Sequence, residues 1–263
     1  MDESTIRLGA FFGIFAVMAL WEAAAPMRQR AVDRQGRWLT NWGISVLNVG
    51  VSALMKAGLG AAAVIAALDA EANGIGLFHA LTLPAWVEVL AVFLILDFAI
   101  WFQHLLSHKI PILWRLHRVH HADRDMDVTT AIRFHPIEIA LSMLFKIGLV
   151  YALGAPVVAV ILFEVVLNGS AMFNHANVRL PRGVDRWLRL GFVTPDMHRV
   201  HHSVNRSEHD SNYGFNLAIW DRMFGTYIAQ PGGGHHGMTI GLTEHQGAAP
   251  TRLGWSLAFP FRR

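Results

Sequence analysis

Cysteine is absent from this chain of 263 residues. Without thiols the protein cannot form disulfides, iron–sulfur clusters or thiolate-ligated zinc or haem sites. Any metal ion must therefore be held by nitrogen and oxygen ligands. Charged residues are also scarce: they make up 16% of the chain, against about 25% in ordinary soluble domains. Low charge together with long apolar runs predicts an integral membrane protein, and the net charge of +3 does not indicate a nucleic-acid partner.

Apolar segments that could form membrane helices cover roughly residues 6–25, 40–68, 84–106, 137–153 and 156–173. The first is expected to be a retained span, because the N-terminus lacks the features of a cleaved signal peptide. About 20 residues cross a bilayer as a helix, so the last two segments are only just long enough. They meet at a Gly-Ala-Pro turn, which predicts a helical hairpin that either spans the membrane or enters without crossing.

Lysine and arginine are distributed unevenly among the predicted loops. They follow the first, third and fifth segments, whereas the loop from Asp69 to Leu83 has none. Because cytoplasmic loops are enriched in these residues, the N-terminus is predicted outside and the C-terminus in the cytoplasm. The basic residues that support this orientation are Arg28, Arg30, Arg34, Arg37, Lys109, Arg115, Arg118, Arg179, Arg182, Arg186 and Arg189.

The motif His-x-x-His-His occurs twice, and a His-x-x-x-His pair precedes the first copy. Neutral imidazole is the commonest metal ligand among side chains. On a helix, positions i, i+3 and i+4 share one face, so each copy is predicted to aim three ring nitrogens at one point. The pair is His104 and His108, the first copy is His117, His120 and His121, and the second is His198, His201 and His202.

These eight histidines, together with His175 after the fifth segment, fall at or just beyond predicted cytoplasmic helix ends. Histidine is costly where it faces lipid, and in membrane helices it usually marks function. Eight or nine imidazoles are too many for one ion, because a zinc site typically takes four ligands. They predict two metal ions, each with four or five imidazoles and an open position. The expected fold is an all-α integral membrane protein with about four to five transmembrane helices and a cytoplasmic helical cap that holds the di-metal site.

Several other polar residues have a predicted place around this site. Asp97, two helical turns before His104, either hydrogen-bonds a ligand imidazole or is satisfied within the helix bundle. Glu164 and Asn168 either line a substrate pocket or bridge helices. His135, with Arg133 and Glu138, either caps the fourth span or lies near the metals. The remaining histidines are predicted to lie at the surface: His79, His209, His235, His236 and His245.

The order and spacing of these motifs resemble the fatty acid hydroxylase/sterol desaturase superfamily. The resemblance covers roughly residues 85–230, including Asp97 before the first histidine pair and Asn174-His175 between the two triplets. It implies a four-helix membrane core and a non-haem di-metal centre of two iron ions. It also implies O2-dependent hydroxylation or desaturation of lipids. Flanking motifs that contribute are Asp127–Pro136, Asn212–Gly214 and Trp220–Tyr227.

One position departs from that family. Many fatty acid hydroxylases have a second histidine four residues before the one that matches His175, whereas Ala171 stands here. The ligand set of one metal is then completed by water, Asn168 or Asn174. Some eukaryotic members are fused to a cytochrome b5 domain, for which this chain has no haem motif. The electron donor is therefore expected to be separate, either a ferredoxin or a cytochrome b5-like protein with a reductase.

The chain is accordingly divided into N-terminal transmembrane helices over residues 1–83, a catalytic domain over 84–230 and a C-terminal tail over 231–263. Zinc would suit the ligands but has no redox states. Two functions outside this family remain as alternatives. A metal or proton transporter would place polar residues near the bilayer midplane. A membrane haem electron carrier would pair histidines across helices within the membrane.

Overall fold

The computed structural model describes residues 3–59 and 62–262, and every regular element within them is a helix. The predicted all-α class is therefore confirmed. The seven long helices are α1 Glu3–Ala24, α2 Arg34–Leu59, α3 Ala63–Asn73, α4 Ala85–Lys109, α5 Pro111–His121, α6 Pro136–Leu153 and α7 Val157–His175. The short helices are α8 Arg182–Leu188, α9 Pro195–His201, α10 Arg206–His209, α11 Ile219–Met223, α12 Gly234–Gly237 and α13 Leu253–Ala258. Segments of 3₁₀-helix occupy Leu77–Ala80, Val128–Ile132, Thr243–His245, Ala249–Thr251 and Phe259–Phe261.

Four of these helices are long and apolar enough to cross a membrane: α1 (from Thr5), α4, α6 and α7. The hairpin of α6 and α7 is present as predicted. It turns at Gly154, which ends α6 with a left-handed φ of 64°, and Pro156 then precedes α7. The two helices have 18 and 19 residues, so each is roughly 27–29 Å long and can cross a bilayer core.

The second predicted segment, residues 40–68, differs from the structure. Helix α2 ends at Leu59 and α3 begins at Ala63, and positions 60 and 61 lie outside the described residues. Neither helix has the length and hydropathy of the four spans. Helix α3 packs against α6 and α7 through buried small residues, including Ala66, Ala67 and Ala70. Alanines permit close helix approach, and this explains why an apolar stretch became an inner packing helix.

The apolar core joins α3, α4, α6 and α7, with Val92, Leu96 and Phe163 fully or almost fully buried. At the end of the bundle remote from the nine candidate ligand histidines, the loop after α3 touches the α6–α7 turn. A Cβ atom added to Gly76 would lie 2.0 Å from the backbone nitrogen of Gly154. Glycine is therefore required at position 76 for the two connections to meet.

The polar cap is tied to α2 by a buried ion-pair network. Arg37 was expected to be a loop charge, but it lies in α2 and is 1% exposed. Its Nε and Nη2 donate to the two carboxylate oxygens of Asp123 over 2.6 and 2.8 Å, and Nη1 donates to Asp127 over 2.8 Å. Asp123 lies two residues after His121, so this network fixes the segment that carries the first histidine triplet. Arg133, also buried, binds Pro250 and Ser256 and thereby attaches the C-terminal residues to the same cap.

Candidate metal centre

Four helices bring the predicted ligands together. His104 and His108 occupy the last turns of α4, the first triplet ends α5, and His175 is the last residue of α7. His198 and His201 of the second triplet lie on α9, and His202 is the residue that follows the helix. Local sequence determines where these helices begin. Proline occupies the first turn of both α5 and α9, and the Thr194 side chain accepts a hydrogen bond from the Met197 nitrogen to cap α9. Proline and threonine are favoured at these positions.

All nine histidines are buried, with no side chain more than 5% exposed. They form two clusters in which the candidate ligand nitrogens lie within 4.8 Å of one another. We call these the five-histidine cluster and the four-histidine cluster. The first contains His104, His108, His117, His121 and His201, and the second contains His120, His175, His198 and His202.

The two triplets are shared between the clusters, which differs from the prediction that each copy aims at one point. In the first copy, the i, i+4 pair His117 and His121 enters the five-histidine cluster, whereas His120 enters the other. In the second copy, His198 and His202 enter the four-histidine cluster, whereas His201 enters the first. Successive helical positions are separated by about 100°, so residues i+3 and i+4 point to the two sides of one face. Adjacent histidines can therefore serve different clusters.

Ring nitrogens face one another inside each cluster. Nε2 of His104 lies 3.0 Å from Nε2 of His117, and Nε2 of His175 lies 3.1 Å from Nε2 of both His120 and His198. Other buried ring nitrogens have no hydrogen-bond partner among the described residues, including both nitrogens of His121 and of His202. Unpartnered buried polar atoms are uncommon in native proteins and require an explanation. Convergent, unpartnered imidazoles suit metal ions as ligands.

The charge state of the cap histidines also suits metal binding. Burial, followed by the neighbouring imidazoles, lowers the pKa of His120, His121 and His201 well below the ordinary value. The same causes lower the pKa of His198 and His202. These rings are therefore neutral near pH 7, and a neutral imidazole has a lone pair available for a metal.

Hydrogen bonds on the outer side orient several rings. Nδ1 of His104 donates to the Tyr213 carbonyl, Nδ1 of His201 to the Ser211 carbonyl, and Nδ1 of His175 to the Ala171 carbonyl, each over 2.7 Å. A proton on Nδ1 leaves Nε2 as the nitrogen that can bind metal.

A carboxylate orients the ring of His117, whose Nδ1 lies 2.6 Å from the Oε1 atom of Glu138. Two places were predicted for Glu138, at the cap of the fourth span or near the metals, and this contact supports the second. Its position in the first turn of α6 is the one sequence signal that it lies level with the histidines. The cap itself is made by His135, whose Nδ1 accepts from the Ile137 nitrogen as predicted.

Asp97 does not bind an imidazole. Its Oδ2 accepts a hydrogen bond from Trp220 Nε1 over 2.8 Å and joins α4 to the segment around α11. Of the two predicted roles for Asp97, the structure supports the one in which its carboxylate is hydrogen-bonded within the helix bundle. Glu164 bridges helices, because it pairs with Lys146 of α6 and lies 2.6 Å from Arg7 of α1. Together with Asn168 it also lines a small cavity beside α1.

Two histidines expected at the surface are buried. His209 is 8% exposed and stacks on Trp114 at a centroid distance of 5.3 Å, beside the five-histidine cluster. His235 is 7% exposed and lies near Asp196. Both are covered by cap segments remote in sequence. His79 and His236 are exposed, as predicted.

The position that departs from the family pattern, Ala171, supplies no side-chain ligand. Of the amides considered as substitutes, Asn168 donates to the Glu164 carbonyl and Asn174 donates to the Phe215 carbonyl. Asn174 Oδ1 is buried and has no hydrogen-bond partner among the described residues, so completion of one ligand set by water, Asn168 or Asn174 stays a prediction.

Two cavities reach the five-histidine cluster, and they share no lining residue. An apolar pocket of about 140 Å³ lies between α4, α6 and α7 and ends at His104 and His117. Its walls include Phe134 and Phe215, and Gln103 and Ser142 contribute polar atoms. A polar cleft of about 500 Å³ reaches His108 and is lined by Trp114, His209 and residues of the C-terminal segment.

Comparison with known proteins is consistent with this site. The chain is 30% identical over 229 residues to an ornithine lipid hydroxylase of Rhizobium tropici, covering 84% of this chain and 66% of that protein. It is 35% identical to human alkylglycerol monooxygenase, covering 53% of this chain and 30% of that protein. It is 26% identical to rat cholesterol 25-hydroxylase, covering 55% of this chain and 48% of that protein. The chain thus spans less than two thirds of each relative.

No solved structure matches the chain. Residues 89–226, however, match the sequence profile of the fatty acid hydroxylase family and contain all nine clustered histidines. The chain therefore belongs to the fatty acid hydroxylase family.

Proposed function

We propose that this protein uses two non-haem iron ions and O2 to hydroxylate a C–H bond of a membrane lipid, or to remove two hydrogens from adjacent carbons and form a C=C bond. The observation that carries the proposal is the pair of buried, all-imidazole clusters, of which the five-histidine cluster lies at the end of an apolar pocket. A redox metal with O2 supplies the strong oxidant that side chains lack. The five-histidine and four-histidine clusters would each hold one iron.

The protein groups around the clusters orient the ligands and exclude water. Glu138 and the three carbonyl acceptors hold the proton of their histidines on Nδ1. Phe134 stacks on His120 at 4.3 Å, and Phe215 lies 5.0 Å from the ring of His104. These phenyl groups cover the imidazoles on the pocket side, where a hydrocarbon chain can replace water.

A lipid can enter the apolar pocket from the bilayer, because α4, α6 and α7 are membrane-capable helices. Gln103 Oε1 accepts a hydrogen bond from Ser142 Oγ over 3.3 Å. No described residue accepts a hydrogen bond from the Gln103 amide nitrogen, which can therefore donate to an oxygen of the substrate. The relatives are named for an ornithine lipid, an alkylglycerol and cholesterol, and we propose a lipid substrate on that basis.

Electrons would enter through the polar cleft, which shares no lining residue with the apolar pocket. Trp114 lines this cleft and lies 5.0 Å from the ring of His108 and 5.5 Å from that of His121. We propose that a separate ferredoxin or cytochrome b5-like protein with a reductase delivers them there. This assignment requires the cleft and the C-terminus to face the cytoplasm, as the arginine distribution predicts.

The alternatives fit the site less well. The clusters lie at the ends of α4 and α7, whereas a transporter site is expected near the midplane. The facing nitrogens, 3.0–3.1 Å apart, leave no room for a haem between them.

His120→Ala and His201→Ala test the proposal with one ligand removed from each cluster. We expect two irons per chain in the wild type by elemental analysis, and fewer in each variant, with product formation abolished. Membrane insertion should be unchanged, because neither residue lies in a span. His236→Ala, at an exposed histidine, is the matched control. Full activity or full iron content in either cluster variant would refute the assignment.

The substrate is identified by comparing the lipids of cells with and without the gene under ¹⁸O-labelled O2. A lipid that gains one labelled oxygen in a gene-dependent manner would identify hydroxylation. A lipid that loses two hydrogens without label would identify desaturation.

A further inference from the structure

A third and larger cavity lies at the same end of the molecule, outside the metal centre and both cavities described above. It has a volume of about 930 Å³. We call it the basic cleft, defined by Arg179, Arg182, Arg186, Asp185, Asp196 and His235. The segments that follow α1 and α7 meet beside it, since the Arg179 nitrogen donates to the Ala25 carbonyl over 3.0 Å. The basic cleft therefore begins where two membrane-capable helices end.

The basic cleft has an excess of positive charge. Its two acids are already paired: Asp185 with Arg189, and Asp196 with Arg199. Arg179, Arg182 and Arg186 are exposed, and none forms an ion pair or side-chain hydrogen bond with the residues that the structure describes. Three guanidinium groups are thus free for a ligand. Their planar donor arrangement matches phosphate oxygens.

A buried side chain on the wall also lacks a partner. His235 is 7% exposed, yet neither ring nitrogen has a hydrogen-bond partner among the described residues. The nearest acid is Asp196, whose Oδ2 lies 3.7 Å from Nε2. Buried nitrogens of this kind usually have a partner, and an oxygen of a bound anion would be one.

The surroundings of α8 favour an anion that is part of a membrane. Arg182 and Arg186 are spaced i, i+4 on one face of α8, whereas Val184 and Trp187 lie on the opposite side. Trp187 is 75% exposed, and it is followed by Leu190 and Phe192, which are 57% and 58% exposed. Exposed tryptophan and apolar residues beside arginine, at the level where spans end, are typical of a membrane interface.

We propose that the basic cleft binds the phosphate of an anionic phospholipid headgroup. Arg179, Arg182 and Arg186 bind the phosphate oxygens, while the apolar side of α8 contacts the outer part of the acyl region. This site is separate from the metal centre, and its occupancy does not depend on the proposed function.

The test titrates the full-length protein, purified in an uncharged detergent, with phosphatidylglycerol or phosphatidylcholine and counts bound lipids by native mass spectrometry. The wild type is expected to bind phosphatidylglycerol more tightly than phosphatidylcholine. Each basic side chain near an anionic headgroup contributes about fivefold, so Arg182→Gln/Arg186→Gln weakens phosphatidylglycerol binding by roughly thirtyfold. Phosphatidylcholine binding weakens less, because its choline cation leaves the headgroup without net charge. Unchanged phosphatidylglycerol affinity in this variant would overturn the proposal.

A charge-matched control removes two exposed arginines elsewhere, Arg206→Gln/Arg252→Gln. It is expected to bind phosphatidylglycerol as the wild type does, and an equal loss would show that overall charge, not the basic cleft, determines binding. Inorganic phosphate in excess should not displace phosphatidylglycerol from the protein. If it does, the basic cleft binds a soluble phosphate instead, and the lipid assignment is overturned. His201→Ala, which is expected to lose metal, should retain full phosphatidylglycerol binding. Loss of binding in that variant would contradict the independence of the two sites.

Discussion

Arg37→Leu should destabilise the protein strongly, because Arg37 neutralises two buried carboxylates. Asp123 and Asp127 are each 1% exposed, and the guanidinium of Arg37 lies within 2.6–2.8 Å of both. Removing one partner of a buried ion pair costs about 3–5 kcal/mol, because the other charge is left uncompensated. For a chain of this size each kcal/mol lowers the melting temperature by about 2–4 °C. The expected decrease is therefore roughly 6–20 °C.

The assay is thermal unfolding in detergent followed by tryptophan fluorescence, since the chain has nine tryptophans and no cysteine for thiol-reactive dyes. Arg34→Leu is the control. It removes the same charge one turn earlier, where the guanidinium stacks 3.8 Å above the Trp38 ring and its Nε has no hydrogen-bond partner among the described residues. Such a cation–π contact contributes about 0.5–1 kcal/mol when exposed.

A second variant separates charge from packing. If the cost arises from the uncompensated acid, adding Asp123→Asn to Arg37→Leu should recover part of the lost melting temperature. Coupled residues show this non-additivity, whereas independent ones do not. A melting temperature for Arg37→Leu equal to that of Arg34→Leu would refute the reasoning. The reasoning would also be refuted if the double variant lost as much melting temperature as Arg37→Leu and Asp123→Asn lose together when measured singly.

Three further predictions concern the bundle, the pocket and the metal centre. Gly76→Ala should reduce the yield of folded protein far more than Gly74→Ala. Both glycines have positive φ, but only a Cβ at position 76 would clash with backbone atoms. Equal losses of helical signal by circular dichroism would contradict the close contact between Gly76 and Gly154. Gln103→Leu should lower kcat/KM about five- to tenfold, the value of one hydrogen bond. Phe102→Leu, at the exposed neighbouring position, should not, and equal effects would argue against a polar contact with the lipid. Glu138→Leu should weaken iron retention against a chelator by about 10–100-fold. Glu138→Gln should have a smaller effect, because it keeps a hydrogen-bond acceptor for His117. Unchanged retention in Glu138→Leu would show that this carboxylate does not support the site.

The sequence predicted the features that depend on local pattern. Hydropathy located α1, α4, α6 and α7, the Gly-Ala-Pro turn located the hairpin, and motif spacing located the nine histidines. Features that depend on contacts between distant segments were not predictable. Asp97 and Trp220 are separated by 123 positions, and no local pattern indicates their pairing.

The same distinction explains the charged residues. Arg37 has the sequence context of a loop cation, but the acids that bury it are more than 80 positions away. Likewise, the division of each triplet between clusters depends on how α5 and α9 face each other. Spacing alone shows that three imidazoles lie near one helix face, without indicating that the face borders two clusters.

Because each triplet is divided between the clusters, the positions of the two clusters are coupled through the backbone. His120 and His121 belong to different clusters although a single peptide bond joins them, and the same is true of His201 and His202. Their ring centroids are 5.4 and 5.5 Å apart, so the backbone itself sets the spacing between clusters. Fraying of the seven-residue helix α9 would withdraw ligands from both clusters at once. Two ions held in this way would enter and leave as a cooperative pair, and their loss would report on the unwinding of one short helix.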